Sequence, residues 1–154
     1  MILSALLLIP LAGMLVILAL PKRAERAIQQ VATLATALTL GWSIGLLTKF
    51  NPQLAAIQFE ERLSWIPQLN IFYHLGVDGI SLPMILLTAL LGFLACLASW
   101  SIPERKKEYF VLYLLLEVGM LGPFLALDLF LFYVFWEVVL VPMYLLIGIW
   151  GGGR

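Results

Sequence analysis

Cysteine, histidine and charge are all scarce in this chain of 154 residues. A single cysteine, Cys96, excludes an intramolecular disulfide, and with a single histidine, His74, it excludes the Cys/His clusters that hold zinc or iron–sulfur centres. Charged residues make up 12% of the chain, about half the ~25% of an ordinary soluble domain, and the 9 basic and 9 acidic residues cancel. We therefore expect no nucleic-acid surface and no redox centre on this chain.

Long apolar runs take the place of charge, since 63% of the residues are hydrophobic. Five runs approach the ~20 residues that a helix needs to cross ~30 Å of hydrocarbon. They cover residues 2–20, 28–47, 80–100, 109–127 and 129–150. An open sheet would leave unpaired backbone groups in lipid, and the runs lack the alternation of a barrel strand. The sequence therefore predicts an all-α integral membrane protein, with one transmembrane helical region of five spans over residues 1–154.

The basic residues predict the orientation of these spans in the lipid bilayer. They cluster in two of the loops, as Lys22, Arg23 and Arg26 after the first span and Arg105, Lys106 and Lys107 after the third. The positive-inside rule makes these loops cytoplasmic. The N-terminus and the loop 48–79 then lie outside, and Arg154 lies inside. Within that outer loop, Gln58–Ile66 either forms a short hairpin or lies along the membrane interface.

Two acids, Glu117 and Glu137, are the charged residues that lie within predicted spans. A carboxyl group near the middle of a bilayer is expensive and is a functional candidate by default. Counted from the turn at Asp128, they lie ~16 Å and ~13 Å deep on adjacent antiparallel helices. If both face inward, the two carboxyls could share one proton. The structural alternative is a protonated glutamate that hydrogen-bonds a neighbouring helix.

Two prolines modify the backbone beside these acids. Pro142, five residues after Glu137, has no N–H to donate to the Val138 carbonyl, and Pro123 likewise leaves the Gly119 carbonyl without its helical donor. Freed carbonyls in a protein-lined pocket can hold the water that a proton needs to reach Glu137. The alternative is that both prolines simply bend their helices to fit their neighbours.

Four further residues are expected to be structural. Asp78 and Asp128 are placed to cap the third and fifth helices. Gly119 and Gly122 are expected to allow a neighbouring helix to approach closely.

Two motifs in the chain resemble one known family. Residues 132–152, FYVFWEVVLVPMYLLIGIWGG, are similar to the fifth-helix signature of the antiporter-like subunit M (subunit 4 type) of bacterial NADH:quinone oxidoreductase, complex I. Residues 73–82, YHLGVDGISL, are similar to the start of the third helix in the same family. Both motifs are long and specific, and the resemblance extends over essentially the whole chain.

The resemblance implies a proton-translocating role in a membrane-arm subunit. The glutamate of the family's Trp-Glu pair is the key protonatable residue of the first half-channel, and it corresponds to Glu137. The partners implied are other membrane-arm subunits of complex I, and the implied location is the bacterial inner membrane. NADH, flavin, iron–sulfur clusters and quinone would belong to the complex, with no cofactor on this chain. The implied enzyme is the whole complex, which couples NADH-to-quinone electron transfer to proton pumping.

The chain is shorter than the family it resembles. Family members continue through further helices in two inverted repeats, and the lysines that partner the glutamate lie on those later helices. We therefore expect residues 1–154 to be the N-terminal part of such a subunit and unable to pump alone. In the complete subunit, Glu137 would take up a proton while poorly solvated and release it when a cation approaches.

Two other functions remain open from the sequence. The first is a subunit of a multi-subunit cation/proton antiporter, whose large subunits resemble this family closely. The second is a nonfunctional five-helix remnant.

Overall fold

Five long helices form the protein, in a computed structural model that describes residues 2–51, 53, 57–101 and 105–150. Each helix is long and apolar enough to cross a membrane, so the predicted helical membrane protein is confirmed. The helices are α1 (Ile2–Ala19), α2 (Glu25–Lys49), α3 (Ser81–Ala98), α4 (Lys106–Leu125) and α5 (Leu129–Trp150). Their orientation in the membrane stays a prediction. Arg154 and the expected inner C-terminus lie outside the described residues.

Two helices differ in extent from the apolar runs that predicted them. Helix α2 continues into charged sequence at both ends, and α4 begins at Lys106 but ends at Leu125. Lysine and glutamate are good helix formers, so a helix continues past the hydrocarbon although its hydropathy falls. Helix α4 ends two residues before the predicted 127 because Ala126 pairs as an extended residue with Leu75.

A β-hairpin occupies the predicted outer loop. Strand β1 (Gln58–Ile66) pairs antiparallel with β2 (Ile71–Val77), with Leu63 opposite Tyr73. A 3-10 turn at Pro67–Leu69 joins them and is followed by Asn70 in the left-handed region at φ 57°, a conformation that asparagine tolerates better than most residues. Of the two alternatives for Gln58–Ile66, the hairpin is therefore correct, and this segment forms one of its two strands.

Two aspartates cap helices as predicted. Asp78 Oδ1 accepts hydrogen bonds from the N–H groups of Ile80 (3.0 Å) and Ser81 (2.8 Å) where α3 begins. Asp128 Oδ1 accepts one from Phe130 (2.9 Å) in the first turn of α5. Each carboxylate thus satisfies N–H groups that have no partner inside their own helix.

Asp128 also fastens the hairpin to the helices. Its second oxygen, Oδ2, accepts the N–H of Phe72 in β2 at 3.0 Å, and the Leu127 N–H donates to the His74 carbonyl at 2.8 Å. The N–H groups of Phe72, Leu131 and Phe130, that of Phe72 foremost, hold the pKa of the Asp128 carboxyl below its ordinary value. The hairpin is thereby held at the end of the bundle where α5 begins.

Glu61 provides a second attachment, which the sequence did not reveal. Its Oε2 accepts the N–H groups of Leu3 (2.6 Å) and Ser4 (3.2 Å), and its Oε1 accepts the Ser4 hydroxyl. The Ser4 hydroxyl also lies 2.8 Å from the Tyr73 hydroxyl on the other strand. A carboxylate from the hairpin therefore binds the first turn of α1, where the helix dipole favours negative charge.

Helix α4 lies at the centre of the bundle and contacts each of the other four helices. The core forms two clusters, one toward the hairpin and one toward the opposite end of the helices. The first includes Leu3, Leu6, Leu75, Ile85, Leu121 and Leu125, and the second includes Ile17, Ile28, Ala32, Cys96, Phe110 and Leu114. Helix α5 is the least enclosed, with only Leu131, Phe135 and Pro142 buried. Its remaining surface is open to lipid or to further protein.

Glu61→Gln is predicted to loosen the start of α1 in the full-length protein. Partial burial raises the pKa of Glu61, but the hydrogen bonds from Ser4 and Leu3 lower it by more. The net pKa therefore lies below the ordinary 4.5. The stabilisation is therefore present above the ordinary pKa and is lost as pH falls through the lowered one. We expect the variant to lose about 1 kcal/mol near neutral pH, a modest value because the carboxyl is only partly buried and water screens its charge.

Hydrogen–deuterium exchange of the Leu3 and Ser4 amides, corrected for intrinsic rates, measures this effect. Wild-type protection should decline in acid, whereas the variant should exchange about fivefold faster at neutral pH and show no such decline. Glu60→Gln is the matched control, because the Glu60 carboxylate contacts His74 rather than α1. Equal protection in all three proteins would contradict the attachment.

Candidate functional site

The two acids within the spans lie on different faces of the bundle. Glu117 on α4 is 0% exposed, whereas Glu137 on α5 is exposed. No group in the described residues hydrogen-bonds either Glu117 oxygen, so Glu137 does not bond to it. The condition for proton sharing between the two carboxyls, that both face inward, is therefore not met in this arrangement.

Helical geometry explains the separation. Gly119 packs against α5, and Glu117 lies two residues before it, which is about 200° around a helix of 3.6 residues per turn. Glu117 consequently points away from α5 and toward α3. On α5, Phe135 packs against α4 and Glu137 follows by the same two residues, so Glu137 points away from α4.

Glu137 lies in a groove on the outer face of α5. The groove has a volume of about 390 Å³, and Glu137 is the charged residue in a lining that is otherwise apolar apart from the Tyr133 hydroxyl. The other lining residues are Leu115, Phe130, Val134, Val138, Val141 and Pro142. Tyr133 precedes Glu137 by four residues on the same face, and its hydroxyl is close enough to interact with the carboxylate. The Glu137 carboxyl thus points outward from the side of the bundle.

Both prolines lie inside continuous helices, Pro123 in α4 and Pro142 in α5. The carbonyls that they leave without a helical donor are those of Gly119 and Val138. A Cβ placed on Gly119 would lie 3.1 Å from the Val138 carbonyl carbon. The two residues with freed carbonyls are therefore neighbours across the α4–α5 contact, beside Glu137, a juxtaposition that the sequence did not reveal.

Two glycines allow α4 and α5 to pack this closely, as predicted. A Cβ on Gly119 would lie 2.9 Å from the backbone nitrogen of Val139, and one on Gly122 would lie 2.1 Å from the Phe135 ring. Both distances are too short for a side chain. Any larger residue would push the helices apart and move the groove that contains Glu137.

Glu117 is enclosed between α4 and α3. Its Oε2 lies 2.5 Å from the position that a Cβ on Gly92 would occupy, so the carboxyl fills the space left by this glycine. Tyr113, one turn earlier on α4, donates a hydrogen bond to the Gly92 carbonyl. Cys96 on α3 lies close enough to Glu117 for the two groups to interact electrostatically. Ionising a carboxyl without a partner here would cost several kcal/mol, so we expect it to carry a proton at rest.

Sequence reasoning missed the tyrosines on this face of α4. Tyr109, Tyr113 and Glu117 follow one another at intervals of four residues, which places all three on one side of the helix. That spacing was the available signal. It was obscured because aromatic residues near a span end are usually interfacial anchors.

The described residues contain no group of three or more His, Cys, Asp or Glu side chains that could hold a metal ion. Cys96 is buried among apolar residues, and His74 pairs with Glu60 on the hairpin. This donor set does not fit an iron–sulfur cluster or a zinc ion.

Comparisons with known families agree along the chain. The family described as NADH-ubiquinone oxidoreductase chain 4, amino terminus, matches residues 1–127, and that described as NADH:quinone oxidoreductase/Mrp antiporter matches residues 126–153. The NADH-ubiquinone oxidoreductase chain 4 of Arabidopsis thaliana is 41% identical over 97% of this chain and 30% of its own length. The NADH-quinone oxidoreductase subunit M of Rhodobacter capsulatus is 46% identical over 84% of this chain and 25% of its own. The chain thus spans less than a third of these relatives.

Two solved structures share the fold. A chain of respiratory complex I from Thermus thermophilus with bound NADH matches with a TM-score of 0.78 and 28% identity, over 99% of this chain and 30% of that one. A chain of the membrane-bound sulfane sulfur reductase, an archaeal respiratory membrane complex, matches with a TM-score of 0.71 over 98% of this chain and 31% of its own. At 21% identity the second likeness concerns the fold alone.

Gly119→Ala is predicted to destabilise the α4–α5 contact. The added methyl group meets the Val139 backbone, which cannot rotate away as a side chain can, so we expect a loss of about 2 kcal/mol. The measurement is the thermal unfolding midpoint of the full-length subunit in its assembly. Gly45→Ala is the control, because a Cβ there meets nothing within 4 Å. A midpoint for Gly119→Ala no lower than that of the control would show that the close contact is not required.

Proposed function

Because this chain belongs to the NADH-ubiquinone oxidoreductase chain 4 family, through that family's amino-terminal part, we propose that it forms the first five helices of a proton-translocating subunit. The subunit would belong to the membrane arm of an NADH:quinone oxidoreductase. Its partners would be the other membrane-arm subunits and the surrounding lipid. Its location would be the bacterial inner membrane.

The observation that carries this proposal is an acid on an outward-facing apolar surface. Glu137 is exposed on α5 among Tyr133, Trp136 and Val141, which are exposed as well. A carboxyl in lipid is expensive unless it is protonated, paired or hydrated. The surface therefore supports a neighbouring helix that covers Glu137 and supplies a cation or water. Because the chain spans less than a third of its relatives, we assign that helix to the remainder of the subunit.

In the proposed mechanism the charge opposite Glu137 decides whether it holds a proton. With no cation nearby, the poorly solvated carboxyl binds a proton. When a cation approaches, its field stabilises the carboxylate and the proton is released. Tyr133, one turn away on the same face, can hydrogen-bond the carboxyl in either state.

Pro142 has a positioning role in this proposal. It frees the Val138 carbonyl one residue after Glu137, and Pro123 frees the Gly119 carbonyl that lies across the α4–α5 contact. Two free acceptors beside the groove can bind water molecules that deliver the proton to Glu137. The helices also stay close, since Gly119 and Gly122 permit it.

Electron transfer is assigned to other subunits. One cysteine and one histidine cannot ligate iron–sulfur clusters. We therefore propose that NADH, flavin, the clusters and quinone are handled elsewhere in the complex. This chain contributes only the movement of protons.

Glu137→Gln in the full-length subunit is predicted to abolish proton pumping, or to reduce it sharply, while the complex still assembles. Glutamine has the same shape as a protonated glutamate but cannot release a proton. The measurement is the number of protons translocated per NADH oxidised in sealed vesicles, with assembly checked by native electrophoresis. Glu25→Gln is the matched control, since Glu25 is an exposed acid in the first turn of α2. Pumping by Glu137→Gln at the control's level would refute the assignment.

A further inference from the structure

We propose that Ser99, Tyr109, Tyr113 and Glu117 form a second proton-exchange site, which connects the buried Glu117 carboxyl to the end of the bundle where α3 ends and α4 begins. The site runs along the contact between α3 and α4. It is separate from the groove of Glu137, which opens on the outer face of α5. It adds to the proposed function, but its existence does not depend on pumping.

The path begins at the hydroxyl groups of Ser99 and Tyr109. Ser99, in the 3-10 turn Ser99–Ser101 that follows α3, lies with its hydroxyl 2.6 Å from the Tyr109 hydroxyl. Tyr109 belongs to the first turn of α4 and is partly exposed. Lys106 lies at the same end, where its ammonium donates to the Trp100 carbonyl at 3.1 Å. Tyr109 is therefore the partly exposed end of the path.

The middle of the path is Tyr113. Its ring stacks on that of Tyr109 with centroids 6.1 Å apart, and it is 8% exposed. Its hydroxyl donates a hydrogen bond to the Gly92 carbonyl on α3. Because a tyrosine hydroxyl also has lone pairs, this arrangement leaves it free to accept a hydrogen bond from a water molecule or from an acid.

The path ends at Glu117. Its Oε2 lies 2.5 Å from the position that a Cβ on Gly92 would occupy, so Tyr113 and Glu117 both contact the same residue of α3. From Tyr109 to Glu117 the helix rises ~12 Å. Along it the side chains pass from partly exposed, through 8% at Tyr113, to 0% at Glu117. The exposed fraction of the side chains therefore decreases from the surface end of the path to its buried end.

The exchange itself is a simple proton transfer. The O–H bond of the Glu117 carboxyl breaks, and its proton passes to a water molecule that is hydrogen-bonded to the Tyr113 hydroxyl, which leaves a carboxylate and a hydronium ion. The proton then leaves past Tyr109 and Ser99 to the end of the bundle where α4 begins. Uptake follows the same steps in reverse. The titratable groups facing Glu117 are Tyr113 on α4 and Cys96 on α3.

Infrared spectroscopy of the full-length subunit in its assembly, transferred rapidly into D₂O, tests the proposal. The C=O band of protonated Glu117 is identified as the band missing in Glu117→Gln. In the wild type this band should shift as deuterium enters. In Tyr113→Phe, which keeps the ring and removes the hydroxyl, the shift should be about tenfold slower, the effect of losing one hydrogen bond from the path.

Tyr109→Phe provides a second variant, because Tyr109 lies at the partly exposed end of the path. This substitution should slow the exchange similarly. Tyr144→Phe is the matched control, since this tyrosine is exposed on α5, away from the α3–α4 contact, and should leave the rate unchanged. Exchange in Tyr113→Phe and Tyr109→Phe at the control rate would overturn the proposal. If Glu117→Gln retained every C=O band of the wild type, the proposal would be overturned as well. Neither outcome depends on whether Glu137→Gln pumps.

Discussion

The absence of water in the bilayer core is the constraint on which this structure depends. Backbone groups must be paired inside the protein, so the apolar runs become helices and the helix ends need acceptors from outside. Asp78, Asp128 and Glu61 provide such acceptors, and two of them also hold the hairpin against the bundle. The same constraint makes Glu117 and Glu137 expensive, and each must therefore have a purpose or a partner.

The helices and the caps could be predicted from the sequence because each depends on local chemistry. Hydropathy locates the spans, and an aspartate just before an apolar run is placed to cap it. The hydrogen bonds from Leu3 and Ser4 to Glu61 could not be predicted, since they join residues more than fifty positions apart. The extent of α4 also depended on a distant partner, because Ala126 pairs with Leu75.

The directions in which the two acidic side chains point were not predicted, and for a different reason. Helices α4 and α5 are apolar nearly all round, so composition does not show which face of each is buried. The information was nevertheless present in Gly119 and Gly122. Once these glycines are assigned to the α4–α5 contact, a helix of 3.6 residues per turn requires Glu117 to point away from α5. A shared depth in the membrane therefore did not imply a shared site.

The central position of α4 relates the two acids without bringing them together. One face of α4 presents glycines to α5, and through that contact it fixes the position of the helix that carries Glu137. A different face presents Tyr113 and Glu117 to α3, and Tyr109 at its end contacts both Ser99 and the ring of Trp150 on α5. Because Gly119 and Glu117 are two residues apart on one rigid helix, a shift of α4 along its axis would move both contacts together. Within the described residues the packing of α4 therefore links the surroundings of the two acids, whereas direct proton sharing would require α4 to rotate.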